Sequence, residues 1–274
     1  ASKAKKTTVT AALKEINTEE ACKARQIMTM LSVNVNKIAL LRNSRGRDYP
    51  NVLAFVDQLI SLGVKGITVH PRPDERHVTR QDAIDIGEFL KAKPGIEFNV
   101  EGYPSREFMD LVIQLKPDQC TLVPDEPGQL TSDHGWDVAG NKDQLTAVLA
   151  ELKQHGIRSS LFLDPSPILV SHVLAVGADR IELYTEDFAN NYGTPDQEKI
   201  TGQYADTAAK AEELGIGVNA GHDLDLENLT RFLLIPNVKE VSIGHALVVE
   251  SLQMGISTVV GKYLRITGEN RNED

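Results

Sequence analysis

The feature that most constrains the fold of this chain is a regular alternation of short β-branched segments with longer segments of helical periodicity. Between the candidate strands, apolar residues recur three and four positions apart, as in "PNVLAFVDQLISLG", which is typical of amphipathic helices. The eight candidate strands cover residues 31–36, 66–72, 96–102, 119–125, 157–164, 179–186, 216–222 and 238–245. Eight strand–helix units in about 240 residues favour an α/β fold of the TIM (β/α)8 barrel type, with extra helical and loop elements.

An open, doubly wound sheet is the alternative, because it also alternates strands with helices. The first strand of this chain is not followed by a GxGxxG turn, and the regularity of eight units favours closure of the sheet. The prediction is therefore a single barrel domain over residues 31–267. A lysine-rich extension, residues 1–30, is expected to be poorly ordered or weakly helical, and residues 268–274 form a tail.

Composition and charge argue against several classes of function. The formal net charge is −10, so a broad basic surface for nucleic acid is not expected. The two cysteines, Cys22 and Cys120, form no CxxC or Cys/His spacing, and no HExxH motif is present, so neither a disulfide framework nor a metal site is predicted. No apolar run is long enough for a membrane span, and a cytoplasmic protein without a membrane partner is expected.

Three consecutive strands carry polar residues at alternating positions, and such residues share one face of a strand. These sets are Ser32, Asn34 and Asn36; Thr68, His70 and Arg72; and Glu97, Asn99 and Glu101. Since the intervening apolar residues pack under the outer helices, the polar sets are predicted to point into the barrel and to line a ligand cavity. A carboxylate held among apolar walls has a raised pKa, which suits a general base near neutral pH.

The last two strands end in "NAGH" and "IGHA", which place Gly221-His222 and Gly244-His245 at strand termini. TIM barrels often bind phosphate at the loops after strands seven and eight, where backbone N–H groups at a helix N-terminus are available. His222 is a candidate acid or base, and a buried structural hydrogen bond is the alternative for either histidine.

Further candidates lie on the loops and on the sixth strand. Arg45 and Arg72 could supply bidentate contacts to phosphate, although most arginines are surface charges. Thr131 or Ser132 could donate to a substrate oxygen, although most loop hydroxyls only cap turns. Glu182 is another candidate inward carboxylate. The segment 185–203 is longer than a simple strand–helix loop needs, and it is predicted to be a lid or an oligomer contact. Together the residues predict a barrel enzyme that acts on small phosphorylated substrates by acid–base chemistry.

Several long motifs resemble, in family order, the pyridoxine 5'-phosphate synthases of the deoxyxylulose-phosphate-dependent vitamin B6 pathway. The matching pieces are "VNVNKIALLRNSRG", "GVKGITVHPRPDERHV", "IEFNVEGYPSREF", "TLVPDEP", "TSDHGWDV", "RIELYTE", "GIGVNAGHDL" and "EVSIGHALV". They cover about residues 31–265. The resemblance implies a TIM barrel that assembles into a homo-octamer, as a tetramer of dimers, and uses no metal or organic cofactor. It implies condensation of 3-amino-2-oxopropyl phosphate with 1-deoxy-D-xylulose 5-phosphate, through a Schiff base, to pyridoxine 5'-phosphate, phosphate and water.

The resemblance also implies a role for individual residues. Catalysis would use His70 and Glu97 as proton acceptors, His222 as proton donor and Glu182 to stabilise the transition state. Binding of the aminoketone phosphate would involve Asn34, Arg45, Asp223, Gly244 and His245. Binding of the deoxyxylulose phosphate would involve Arg72, His77 and Thr131.

Two departures from the family pattern affect this transfer. Asn36-Lys37 stands where the family often has Asp-His, and Asp223 replaces a common glycine. Both Asn36 and Lys37 are kept as candidate substrate-binding residues, because Lys37 could still meet a phosphate or a hydroxyl.

Two other functions are compatible with the residues. A phosphosugar isomerase or aldolase is one, and Lys37 would be the Schiff-base lysine of an aldolase. A non-catalytic phosphate binder is the other, but it has no evident need for His70, Glu97 and His222 together. The catalytic hypothesis predicts that Glu97→Gln largely abolishes turnover with little loss of folding.

Overall fold

The computed structural model, which describes residues 28–125, 129 and 132–269, is a closed barrel of eight parallel strands. Each strand pairs with the next along the chain, and β8 pairs with β1 to close the sheet. The strands are β1 (Met30–Asn34), β2 (Gly66–Val69), β3 (Glu97–Gly102), β4 (Gln119–Leu122), β5 (Arg158–Leu163), β6 (Arg180–Tyr184), β7 (Gly217–Gly221) and β8 (Val238–Ile243). The predicted TIM barrel is therefore confirmed, and all eight predicted strands are present.

Eleven helices in the described part of the chain surround the barrel. They are α1 (Asn36–Asn43), α2 (Val52–Ser61), α3 (Arg80–Lys91), α4 (Arg106–Leu115), α5 (Lys142–Gln154), α6 (Pro167–Val176), α7 (Glu186–Asn191), α8 (Gln197–Glu213), α9 (Leu229–Phe232), α10 (His245–Met254) and α11 (Ile256–Thr267). The extra helices stand where the loops are long: α1 precedes α2 between β1 and β2, and α7 precedes α8 after β6. Within the described residues, no helix is both long and apolar enough to cross a membrane.

Side chains at several helix N-termini satisfy the backbone N–H groups that the first turn leaves unpaired. Asn51 accepts from the Ala54 amide at the start of α2, and Ser105 accepts from the Phe108 amide at the start of α4. These caps fix the residue at which each helix begins.

The apolar face of each strand packs outward against the helices. Ile67, Val69, Phe98 and Val100 are all nearly inaccessible to solvent, as the alternation in β2 and β3 predicts. Burial of this kind contributes roughly 1.5–3 kcal/mol for each large side chain, so the core that fixes the barrel lies between the sheet and its helices.

The interior of the barrel is polar, although TIM barrels usually fill it with branched apolar side chains. In its middle layer, Ser32 and Thr68 are joined by a hydroxyl–hydroxyl hydrogen bond of 2.7 Å. Asn99 donates to Thr68 over 3.3 Å and accepts from Thr121 over 3.1 Å. These bonds offset the cost of burying the polar groups. The predicted inward orientation of Ser32, Thr68 and Asn99 is confirmed.

A second polar layer lies at the amino end of the barrel. Arg158, the first residue of β5, forms an ion pair with Glu97 and donates to Gln119 over 2.9 Å. Arg180, the first residue of β6, lies 3.2 Å from Glu240. Paired charges therefore fill the end of the barrel opposite to the catalytic end of this fold.

The long segment after β6 folds onto the barrel through aromatic contacts. Phe188 of α7 is buried, and its ring centroid lies 5.0 Å from that of Phe232 and 6.0 Å from that of Tyr204. Since edge-to-face aromatic pairs contribute about 0.5–1.5 kcal/mol beyond area burial, this cluster fixes the segment to α8 and α9. Its predicted role as a lid or an oligomer contact stays a prediction.

Candidate active site

A histidine and a carboxyl group face each other at the carboxyl end of the barrel. His70 follows the last residue of β2, and Glu101 is the fifth of the six residues of β3. Both are buried, and His70 Nδ1 lies 4.0 Å from Glu101 Oε2. Asn34, at the end of β1, donates to the same carboxyl oxygen over 3.4 Å. Three neighbouring strands thus bring three functional groups together.

Asn36 holds the ends of the first two strands in register. Its side-chain oxygen accepts a hydrogen bond of 3.0 Å from the backbone amide of His70. Its backbone N–H donates to Asn34 Oδ1 over 3.0 Å. A carboxylate oxygen at this position could accept the same bond, so asparagine retains this structural role. Asn36 therefore positions both His70 and Asn34, whether or not it contacts substrate.

The surroundings of His70 and Glu101 favour the uncharged form of both side chains. Burial lowers the pKa of His70 well below its ordinary value, and the positive charge of Arg72 lowers it further. Burial raises the pKa of Glu101 well above its ordinary value, and the negative charge of Glu182 adds to that shift. At neutral pH, His70 is therefore a free imidazole that can accept a proton, and Glu101 can hold one.

Glu182 lies inside the barrel near Gly221 of β7. Burial raises the pKa of Glu182 to about 8, and the negative charge of Glu240 contributes to the shift. A Cβ atom on Gly221 would lie 2.7 Å from Glu182 Oε1, so only glycine leaves room for this carboxyl group. The predicted inward orientation of Glu182 is confirmed.

His222 follows β7 with a left-handed backbone, at φ 72°, a conformation that costs a non-glycine residue free energy. The buried hydroxyl of Thr185 donates to the backbone carbonyl oxygens of Gly221 and His222 and so stabilises this turn. The imidazole ring packs against Phe162 and Tyr184, with centroid separations of 5.3 and 5.4 Å. Burial lowers the pKa of His222, while the negative charge of Asp223 opposes the shift.

Arg72 and His77 place positive and titratable groups on the loop after β2. Arg72 is buried, forms an ion pair with Asp125 and donates to the Gln129 carbonyl oxygen over 2.9 Å. The His77 ring lies 6.1 Å from the His70 ring. Burial lowers the pKa of His77 to about 4, and the charge of Arg72 adds to the shift.

The N-terminus of α10 stands at the same end of the barrel. Gly244 is its N-cap and His245 its first residue. A Cβ atom on Gly244 would lie 3.1 Å from the Cβ of Asn34, so the helix start packs closely on β1. Free N–H groups and the helix dipole favour an anion here.

Lys37 and Asp223 lie at the margin of this site. Lys37 is half-buried in the first turn of α1. Its positive charge adds to the lowering of the pKa of both His77 and His222 that burial causes. Asp223 is exposed, with a left-handed backbone at φ 55°. Glycine adopts this conformation readily, which agrees with the glycine common at this position in the family that the motifs resemble.

Two predicted site residues, Arg45 and Glu97, are not part of the cluster, and a third cannot be placed. Arg45 is exposed in the loop after α1, and its side chain forms no hydrogen bond or ion pair with any described residue. Thr131 lies outside the described residues. Glu97 is the first residue of β3 and forms an ion pair with Arg158 at the amino end of the barrel. Glu97 therefore lies at the end of the barrel away from His70, and its position does not support the catalytic role that the resemblance implies for it.

Glu101 occupies the place that was predicted for Glu97. The two carboxylates share a strand face, and four residues of strand separate them by about 13 Å, at about 3.3 Å per residue. Only the later one reaches the carboxyl end, where barrel enzymes carry out their chemistry. Parity alone could not choose between them, but the position of each residue along the strand could have done so.

Asp125, Phe162 and Tyr184 were also not predicted as site residues. Asp125 ends the candidate strand 119–125 and lies in "TLVPDEP", and Tyr184 lies in "RIELYTE", but neither motif by itself indicates a role for these residues. Phe162 lies on β5 outside the matching motifs. In the residues that the structure describes, no group of three or more His, Cys, Asp or Glu side chains is arranged to hold a metal ion.

Comparisons with known proteins identify a family and close relatives for this chain. A family model described as pyridoxal phosphate biosynthesis protein PdxJ matches residues 31–269. The pyridoxine 5'-phosphate synthase of Christiangramia forsetii is 48% identical over 240 residues, which cover 87% of this chain and 99% of that protein. The enzyme of the same name from Bacteroides thetaiotaomicron is 49% identical over 237 residues, which cover 86% of this chain and 98% of that protein.

Solved structures show the same fold at low sequence identity. A variant tryptophan synthase alpha-subunit from Pyrococcus furiosus superposes with a TM-score of 0.60 at 14% identity, covering 88% of this chain and 98% of that one. A phosphoribosyl anthranilate isomerase superposes with a TM-score of 0.55 at 10% identity, covering 89% and 100%. Fold and sequence therefore agree, and the chain belongs to the family of the pyridoxal phosphate biosynthesis protein PdxJ.

Proposed function

We propose that this protein is a pyridoxine 5'-phosphate synthase, an enzyme of the transferase class. It would condense 3-amino-2-oxopropyl phosphate with 1-deoxy-D-xylulose 5-phosphate and release pyridoxine 5'-phosphate, phosphate and water. The observation that carries the proposal is the convergence of His70, Glu101, Glu182 and His222 at the end of the barrel where Arg72 and the N-terminus of α10 can hold phosphate.

The chemistry begins with attack of the substrate amine on the substrate ketone, which forms a carbinolamine and then an imine with loss of water. Closing the ring requires carbon-bound protons to be removed and hydroxyl and phosphate groups to leave. His70, a free imidazole at neutral pH, is suited to accept a proton, and the nearby Glu101 can take or return one. Glu101 replaces Glu97 in this role because only Glu101 lies beside His70.

Proton donation to a leaving hydroxyl is assigned to His222. Burial lowers its pKa in the free protein, so an additional negative charge is needed to keep it protonated. Each bound phosphate brings negative charge, and an opposite charge nearby favours the imidazolium form. Substrate binding would thus prepare His222 as the acid.

Phosphate binding would use two separate places. The N-terminus of α10, at Gly244 and His245, together with Asn34, would hold the phosphate of the aminoketone. Arg72 and His77 would hold the phosphate of the deoxypentulose. Lys37, Arg45, Asp223 and Thr131 remain proposed substrate contacts. A cytoplasmic homo-octamer is proposed for the assembly, and sedimentation of the purified protein would measure its size.

The test of the function is product formation. Purified protein is mixed with both substrates, phosphate release is followed by a coupled assay, and pyridoxine 5'-phosphate is identified by absorbance and mass. Omission of either substrate is the control, and the expected result is stoichiometric formation of both products. Well-folded protein that yields neither product would refute the proposed function.

A further inference from the structure

The loop after β4 carries a buried carboxylate, Asp125, whose two oxygens are in different situations. Oδ2 forms the ion pair with Arg72 and accepts a hydrogen bond of 2.8 Å from the Ser132 hydroxyl. Oδ1 is buried, and no described group donates to it. An unsatisfied buried acceptor costs roughly 1–3 kcal/mol, and such an oxygen in a native site calls for a partner.

This carboxylate lies in the candidate active site. Asp125 lines a cavity of about 390 Å³ together with His70, Arg72 and Tyr103. The residue is only 5% exposed. Its negative charge raises the pKa of Glu101 and opposes the lowering of the His222 pKa. A ligand that reaches His70 and Arg72 therefore comes within range of Asp125.

The state of Arg72 indicates which kind of group Oδ1 would meet. A guanidinium has five N–H donors. Among the described residues, Arg72 uses two of them, in hydrogen bonds to Asp125 and to the Gln129 carbonyl oxygen. The other donors have no acceptor among the described residues, so a phosphate could use them. A carboxylate repels the phosphate itself but accepts strongly from a hydroxyl. The hydroxyl nearest to a phosphate held by Arg72 is the one on the neighbouring carbon, C4 of the deoxypentulose.

We propose that Asp125 is a substrate-positioning residue, in which Oδ2 holds Arg72 for the phosphate and Oδ1 accepts a hydrogen bond from the C4 hydroxyl of 1-deoxy-D-xylulose 5-phosphate. The proposal rests on the proposed function, because it takes its substrate from there. It assigns to one carboxylate both the orientation of the phosphate-binding arginine and the recognition of the sugar backbone.

The test compares two ligands on several variants. Dissociation constants are measured by calorimetry for 1-deoxy-D-xylulose 5-phosphate and for the analogue that lacks the C4 hydroxyl. The wild type, Asp125→Ala, Asp125→Asn and the control Asp133→Ala are used, since Asp133 is an exposed carboxylate of the same loop. An effect transmitted only through Arg72 weakens both ligands equally and leaves their ratio unchanged.

In the wild type and in Asp133→Ala, loss of the C4 hydroxyl is expected to weaken binding about 10- to 100-fold, as for a hydrogen bond to a charged group. In Asp125→Ala the same change is expected to matter less than about threefold. Asp125→Asn, which keeps an acceptor oxygen and nearly the same shape, is expected to give an intermediate ratio. If Asp125→Ala does not fold, the reduced ratio in Asp125→Asn decides the matter.

An unchanged ratio in the folded Asp125 variants would overturn the role of Asp125. If such proteins still form pyridoxine 5'-phosphate, the proposed function survives and only this inference fails. A wild type that binds neither ligand and forms no product overturns both.

Discussion

The choice between two glutamates of the same strand gives the sharpest test of the site. Glu101→Gln keeps the size and an acceptor oxygen for the amide of Asn34, which donates to Glu101 over 3.4 Å, but it removes the exchangeable carboxyl proton beside His70. Glu97→Gln makes the same chemical change about 13 Å away along β3, where the carboxylate forms an ion pair with Arg158. The two variants are therefore matched in chemistry and differ in place.

The two substitutions are expected to differ by orders of magnitude in their effect on the reaction rate. Loss of a positioned acid–base group costs about 10²–10⁴ in rate, or about 2.7–5.4 kcal/mol in barrier at about 1.36 kcal/mol per decade. The ion pair of Glu97 is partly exposed, with 37% of the Glu97 side chain accessible, and such pairs contribute about 0–1 kcal/mol to stability. Glu101→Gln should thus lose activity at nearly unchanged stability, and Glu97→Gln should keep most of its activity.

The assay is the initial rate of phosphate release with both substrates at saturation, together with thermal unfolding of each variant. A Glu97→Gln protein that is folded but at least a hundredfold slower, beside a Glu101→Gln protein of near-normal rate, would refute the reasoning. It would return the proton acceptor to Glu97, as the sequence motif implied.

Three further predictions concern the buried titratable groups and their support. The pKa of Glu182 is raised in the folded state to about 8, so its ionisation disfavours folding, and the contribution of Glu182 to stability should fall as pH rises from about 4.5 to about 8, as measured by urea unfolding. Glu182→Gln should flatten that fall, and an unchanged pH dependence would count against a buried carboxyl. Thr185→Val should lower kcat about tenfold or more, in line with the effect of misplaced catalytic groups, and should move the pH profile of kcat, while Thr185→Ser should restore both. A loss of stability alone would make Thr185 merely structural rather than a positioning residue for His222. Because burial lowers the pKa of His70, the acid limb of kcat/KM should lie below the ordinary histidine value of about 6.5, and a limb above that value would exclude His70 as the base.

Much of the site follows from local sequence patterns. The period of two in β1, β2 and β3 places Asn34, His70 and Glu101 on the inward face, because side chains alternate along every strand. The two Gly-His pairs mark the ends of β7 and β8. The glycine of each pair has no side chain, and this leaves room for the close approach of Gly221 to Glu182 and of Gly244 to Asn34.

Other features could not be predicted, since they depend on contacts between distant segments. The pairing of Asp125 with Arg72 joins loops 53 residues apart, and the hydroxyl of Thr185 reaches the turn at His222 across 37 residues. Neither contact leaves a pattern in the local sequence.

The sequence by itself determined the number of strands and the face on which each polar residue lies, because hydrophobic periodicity is a local property of the chain. It favoured a closed barrel over an open sheet, and the pairing of β8 with β1 decided that closure. The tertiary structure decided which inward residues meet. Depth along the barrel depends on the register of neighbouring strands, which pairs Glu97 with Gly66 and Asn99 with Thr68. That register leaves Glu97 with Arg158 at one end and brings Glu101 to His70 at the other, and so it separates a structural carboxylate from the one proposed to move protons.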